Sequence, residues 1–371
     1  MRLRSSLLIC GFVFSAGLCA ALFHGGAAHA QAPQQSPQES VNVENTNRTF
    51  VVHLPQGYDA AKQRYPLVLL LHGRDMSVDD MARLTKFNQT ADHYGVIAVY
   101  PHAYVGQWNV GIEPERAMRP MMGPRRRGYG YPGGYPGGGY PGGGYPPNGG
   151  GYPPNAGGGG EAGRNRGQAN DLAFFDAMLD KLSSEYAVDT ARIYVAGFSD
   201  GGFMAFRLGC EMSRRLAAVA SISAEMPKAM KDWCSPSPAV SLLMMNGTVD
   251  PVVPYYGGSG RVGSYPTMSA EDSAKEWVKY DGCSTKAEHT KLPPREKGGM
   301  ETNVYKFGDC KAGTEVQRYS IEGAGNTWPG GDSYVLREKA GKTSNDVDAD
   351  EVIWQFFAAH KLAAPPASNP Y

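Results

Sequence analysis

Short apolar runs alternate with amphipathic stretches along this chain, and the alternation predicts its elements. Residues 48–55, Arg-Thr-Phe-Val-Val-His-Leu-Pro, read as a strand, and residues 65–71 form an unbroken apolar run that ends at His72-Gly73. A strand apolar on both faces must be covered by helices on both sides. Ser77 with Asp80 three positions on makes a capping box that opens a helix running to about residue 94, and residues 95–101 are the next strand. Leu172, Phe175, Leu179 and Leu182 share one face of a helix over 171–186; residues 192–197 form a strand that feeds a helix from Gly201 to about 214. Strands over 216–223, 239–245 and 316–321 follow, with helices over 270–280 and 348–360, the last opened by Asp348 and Glu351 as a capping box. Strand and helix in turn predict an α/β fold with a mostly parallel central sheet and helices on both faces. Ligands of such a sheet sit at the carboxyl ends of its strands.

Two regions depart from this beat. Residues 1–30 start with Arg2 and Arg4, continue through an apolar run and end in Ala28-His29-Ala30, the form of a secretory signal peptide cleaved before Gln31. An uncleaved anchor is the alternative, but the run is short for a membrane span and is interrupted by Ser15 and Gly17. The mature protein is therefore expected to be secreted or periplasmic. It starts with a polar tail over 31–47, carries its α/β domain over 48–361, and ends in a tail over 362–371. Residues 113–168 interrupt the domain with Arg125-Arg-Arg and repeats such as Tyr-Pro-Gly-Gly, and have no hydrophobic periodicity, so disorder is expected there. This insertion follows the strand ending at 101 and emerges at the sheet edge where the site is expected. It reads either as a tolerated surface insertion or as a Tyr/Arg-rich arm that holds a polymer near the site.

The 371 residues carry 36 basic and 36 acidic side chains, so no strong field recruits nucleic acid or an anionic membrane. No further stretch is long and apolar enough to span a bilayer, and a monomer is expected. Cys210, Cys234, Cys283 and Cys310 remain after the leader, an even number suited to an oxidising compartment. No Cys-x-x-Cys or paired histidine accompanies them, which favours two disulfides over a metal site. Three pairings are open; the sequence-local one, Cys210 with Cys234 and Cys283 with Cys310, closes loops of moderate length. No phosphate loop, zinc signature or dinucleotide fingerprint is present, so no cofactor is implied.

The chemistry centres on Gly197-Phe198-Ser199-Asp200-Gly201, which joins a strand to a helix. Small residues permit the sharp turn that lifts Ser199 out of the sheet as a nucleophile. The N–H of Asp200 and that of Arg74, after His72-Gly73, are the candidate oxyanion donors. His72, at the end of a buried strand, is expected to bond locally rather than to transfer protons.

Further segments extend the pattern: Leu70-Leu71-His72-Gly73, Tyr100-Pro101, Trp108-Asn109, Gly197-Phe-Ser-Asp-Gly-Gly-Phe-Met204, Asn246-Gly-Thr-Val-Asp250-Pro-Val-Val-Pro254, Gly323-Ala-Gly-Asn-Thr-Trp-Pro-Gly330 and Ile353-Trp-Gln-Phe-Phe357. By these the chain resembles the secreted poly(3-hydroxybutyrate) depolymerases and feruloyl esterases of carbohydrate esterase family 1 type, within the α/β-hydrolases, over nearly all of the mature sequence except the insertion. The resemblance implies an ester substrate, possibly polymeric, an acyl-enzyme route, and Asp250 as the acid that orients a histidine. Where that family's pattern Gly-Gly-Gly-His-Thr-Trp-Pro-Gly places the histidine, this chain has Asn326. An amide has no usable basicity near neutral pH, so weak or absent activity is expected. A catalytically inactive relative that binds polyester or plant-wall polymer is the alternative, and an adhesive envelope protein a third. Of the other histidines, His102 is the least implausible substitute. Trp108, Tyr255 and Trp328, on loops at the same edge, are candidates for stacking on an aromatic or sugar-like substrate, or for capping the core.

Overall fold

The computed structural model describes residues 37–112, 169–260, 265–295, 297–332 and 337–362. The expected leader and the insertion over 113–168 lie outside the described residues, as does the tail beyond Leu362. In chain order the elements are β1 (Gln38–Val43), β2 (Thr46–His53), β3 (Tyr65–Leu71), α1 (Val78–Thr85), α2 (Phe87–Tyr94), β4 (Ile97–Pro101), α3 (Asp171–Glu185), β5 (Val188–Phe198), α4 (Asp200–Glu211), β6 (Ala218–Ile222), β7 (Ser241–Gly247), α5 (Ala270–Asp281), β8 (Glu288–Leu292), β9 (Thr302–Phe307), β10 (Val316–Ile321), α6 (Arg337–Ala340) and α7 (Ala349–Ala358).

One sheet of ten strands runs β1-β2-β4-β3-β5-β6-β7-β10-β9-β8. The six strands from β4 to β10 are parallel, and antiparallel pairs extend both edges. The chain passes from β3 to β4 on one side and returns to β5 on the other, so the strand order reverses between β3 and β5. A crevice opens at the carboxyl ends of strands flanking such a reversal. Alternation along β3 shows how the core is divided. Leu67, Leu69 and Leu71 pack with Phe174, Phe175 and Phe206 on the face covered by α3, α4 and α5. Val68 and Leu70 pack with Met81, Phe87 and Phe357 on the face of α1, α2 and α7. Burial on both faces is the reason the run lacks a polar alternate.

The expected helix over 77–94 is two helices. Ser77 and Asp80 form the capping box, but Lys86 takes φ 55° and ends α1. Thr85 assists the break, since its hydroxyl donates to Met81 O and accepts from Phe87 N. At the last helix Asp348 caps the Glu351 N–H, while the Glu351 carboxylate accepts from Tyr94 Oη at 2.7 Å instead of closing a box. The segment 31–47, expected to be a polar tail, contains β1, paired with β2 in a hairpin turned by Glu44 and Asn45 at positive φ. Cysteines are joined as Cys210–Cys234 and Cys283–Cys310. Among the described residues no helix is long and apolar enough to cross a membrane.

Candidate active site

Ser199 stands between β5 and α4 at φ 52° and ψ −113°, a conformation that a serine adopts only when its surroundings enforce it. The neighbouring glycines enforce it. A Cβ on Gly197 would lie 2.0 Å from Gly201 O, and one on Gly201 would lie 2.2 Å from Leu71 O. The start of α4 is thereby pressed against both its own strand and the end of β3. Ser199 N–H donates to Ile222 O at 2.8 Å, and Ser199 O accepts from Gly202 and Phe203, so the turn is bonded while the side chain stays partly exposed.

Asp200 ties three segments together. Its Oδ1 accepts from Arg74 Nη2 at 3.0 Å and its Oδ2 from the Trp108 N–H at 3.2 Å. The loop after β3 and the loop after β4 are thus held to the first turn of α4. Neither Arg74 N–H nor Asp200 N–H donates to a backbone carbonyl among the described residues; Arg74 is in the loop after β3 and Asp200 opens α4, both at the β3/β5 crevice.

Asp250 lies beyond the end of β7. Its Oδ1 accepts from the N–H groups of Val252 and Val253 at 2.7 and 2.8 Å. Its Oδ2 accepts from Asn326 Nδ2 at 2.8 Å, and Asn326 Nδ2 also donates to Ser223 O at 3.2 Å. Ile222 and Ser223 are consecutive, so adjacent carbonyls at the end of β6 hold the Ser199 backbone and the Asn326 side chain. Burial pushes the Asp250 carboxyl up to about 6, against the three hydrogen bonds that favour its charge.

His72 is engaged at both ring nitrogens. Nδ1 donates to Gly73 O at 2.7 Å, which leaves Nε2 to accept from Ala103 N–H at 3.1 Å. Burial holds its basicity below that of a free imidazole, as it does for half-buried His102. His102 follows β4, which is separated from β5 by β3, so it stands one strand further from Ser199 than His72 does. None of the six described histidines hydrogen-bonds Asp250; His53 bonds Asp92, His289 bonds Asn303 and His360 bonds Phe356 O.

The aromatic candidates divide differently from expectation. Trp108 is 3% exposed, packs against His72 and Phe175, and donates Nε1–H to His72 O. Trp328 is 1% exposed and donates Nε1–H to Asp350 Oδ1 at 2.9 Å. Neither has a ring face open to a ligand, so of the two expected roles their packing favours core capping over stacking on substrate. The Tyr255 hydroxyl is bound to Ser320 Oγ at 2.6 Å and to Arg318 Nη1 at 2.7 Å, which turns it toward β10. Its neighbour Tyr256, not singled out from sequence, is 80% exposed. Sequence reading also passed over Glu225, fully buried two residues beyond Ser223. An acidic side chain directly after a buried strand was the available signal.

Residues 48–108 match the family described as Esterase PHB depolymerase, and residues 164–288 match Phospholipase/Carboxylesterase. NocK of Nocardia uniformis subsp. tsuyamanensis, an esterase by name, is 26% identical over 78% of this chain and 73% of its own length. Feruloyl esterase B of Piromyces equi is 34% identical over 43% of this chain, which spans only 29% of that protein. An acetyl xylan esterase from Aspergillus awamori superposes with a TM-score of 0.50 at 13% identity, covering 87% of this chain and 99% of that one, a likeness of fold.

Proposed function

We propose that this chain, an α/β-hydrolase of the esterase type represented by the polyhydroxybutyrate depolymerases and feruloyl esterases, is a secreted serine carboxylic-ester hydrolase whose proton-transfer step is crippled by Asn326. The supporting observation is the hydrogen bond of Asn326 Nδ2 to Asp250 Oδ2, made while the same Nδ2 donates to Ser223 O, one residue past the Ile222 carbonyl that holds the Ser199 turn. In this reading Ser199 Oγ attacks the ester carbonyl, and the N–H groups of Asp200 and Arg74 receive the developing oxyanion. Asp250 orients its neighbour as it would a histidine. Asn326 keeps the donor that Asp250 requires but offers no ring nitrogen to take the Ser199 proton and return it to the leaving alcohol. Loss of a triad histidine lowers kcat by roughly a million-fold and leaves about a thousand-fold over water from oxyanion stabilisation and binding. Slow turnover of a short activated ester, abolished in Ser199→Ala, is the expected result. Equal background hydrolysis by both proteins would remove the enzyme reading. Secretion rests on the signal-peptide pattern of residues 1–30 and is supported by the two disulfides. Amino-terminal sequencing of the exported protein should start at Gln31.

The buried amide at position 326 favours one second reading, a protein that retains the cleft to bind polyester or plant-wall polymer. Deleting residues 128–160 should then weaken retention on the polymer, and unchanged retention would remove the insertion from the account.

A further inference from the structure

Glu225 and Asn246 are each 1% exposed, next to the loop that carries Asp250. Asn246 Nδ2 commits its two hydrogens to Ala224 O at 3.1 Å and Glu225 Oε1 at 3.0 Å. Glu225 Oε2 and Asn246 Oδ1 are then left as buried acceptors with no hydrogen-bond partner among the described residues. Two bare acceptors on groups already bonded to each other share one remedy: a proton. We propose that Glu225 is a neutral carboxylic acid whose O–H donates to Asn246 Oδ1, closing a two-bond acid–amide ring that positions the Asp250 loop from behind.

An ionised Glu225 would leave both acceptors unsatisfied and bury a charge without a counter-ion, two unfavourable states at once. The charged group that acts on Glu225 is Asp250, and its sign opposes ionisation. Burial first, and then the Asp250 charge, hold the Glu225 carboxyl well above its ordinary range; the bonds from its own N–H and from Asn246 oppose this. The ring links the end of β7 to the segment after β6. Asn246 is four residues ahead of Asp250, and Glu225 is two beyond Ser223, whose carbonyl holds Asn326. Both strands that support the Asp250–Asn326 bond are therefore fastened together beneath it, and Asp250 remains the charge of the pair. The inference holds whether or not Ser199 turns over an ester.

Infrared difference spectroscopy of the whole chain at about pH 8, where an ordinary glutamate is fully ionised, tests it. The wild-type protein should show the carbonyl band of a protonated carboxylic acid that is missing from Glu225→Gln. Labelling glutamate carboxyls with 13C in the wild-type chain should shift the same band, which gives a reading free of any folding defect in the variant. Glutamine can preserve both bonds of the ring without a titrating proton. Glu225→Gln should therefore melt no lower than wild type at about pH 8 and lose part of the decline in stability that wild type shows as pH rises above the ordinary glutamate range. The sign follows from linkage: a carboxyl raised on folding contributes stability that is fully present below its unfolded value and is lost as pH rises toward its folded one. Absence of a glutamate-derived acid band in the labelled wild-type chain would overturn the proposal.

Discussion

Asn326 Nδ2 donates to Asp250 Oδ2 at 2.8 Å, the contact through which an acid would orient an imidazole. The amide is fully buried and also anchored to Ser223 O, so it is part of the framework of the site. In the proposed reading the asparagine retains a donor toward the acid and lacks an acceptor of protons.

Restoring that acceptor is the most direct test. Asn326→His should raise kcat/KM for a short activated ester by several orders of magnitude, toward the roughly million-fold value of a triad histidine. The larger ring enters a packed site, and overpacking costs about 1–3 kcal/mol, so a lower melting temperature is expected alongside the gain. A folded variant with less than about a ten-fold gain (1.4 kcal/mol of barrier) would show that the proton-transfer defect lies elsewhere.

Asp250 imposes a pH signature on stability. Its folded value of about 6 lies above the ordinary 3.8, so its contribution is fully present below that ordinary value and is lost as pH rises to about 6. Asp250→Asn should remove this part of the slope. It should also destabilise the protein by about 1–3 kcal/mol at neutral pH, because two side-chain NH2 groups then face each other where Asn326 met a carboxylate. Melting temperatures of both proteins across acidic pH measure slope and offset together.

Arg74→Ala leaves Asp200 Oδ1 without its guanidinium partner in a nearly closed site, with Asp200 4% and Arg74 22% exposed. A loss of about 1–3 kcal/mol is expected, reduced from a fully buried pair by the exposure of Arg74. In an Asn326→His background kcat should fall while KM changes little, since the loop carrying the Arg74 N–H is no longer held to α4. Unchanged kcat there would exclude this loop from oxyanion stabilisation.

Gly197→Ala should fail to give soluble folded protein, judged by far-ultraviolet circular dichroism. Its Cβ would stand 2.0 Å from a backbone oxygen that no rotamer change can move. A folded Gly197→Ala protein would mean that the turn at Ser199 is far less tightly packed than described.

Local pattern was enough to reveal the parallel centre of the sheet, because strands buried on both faces are written as unbroken apolar runs such as residues 65–71. It did not reveal β1, β8 or β9. β8 is exposed along its whole length, so no hydrophobic alternation marks it, and only backbone pairing with β9 makes it a strand. The break at Lys86 was equally invisible, since nothing but its left-handed φ distinguishes that residue from an ordinary helical lysine.

For the site, the chain itself determined which residue types are available: a serine between small residues, an aspartate after a buried strand, and an asparagine where the resemblance implies a histidine. Tertiary structure decided which of them meet. It placed Asn326 on Asp250 and turned Trp108 and Trp328 into the core. It also set Glu225 against Asn246 across two strands. The division has a physical cause. Periodicity reports how a residue faces its own element, whereas hydrogen bonds between residues 76 or 103 positions apart depend on how separate elements pack.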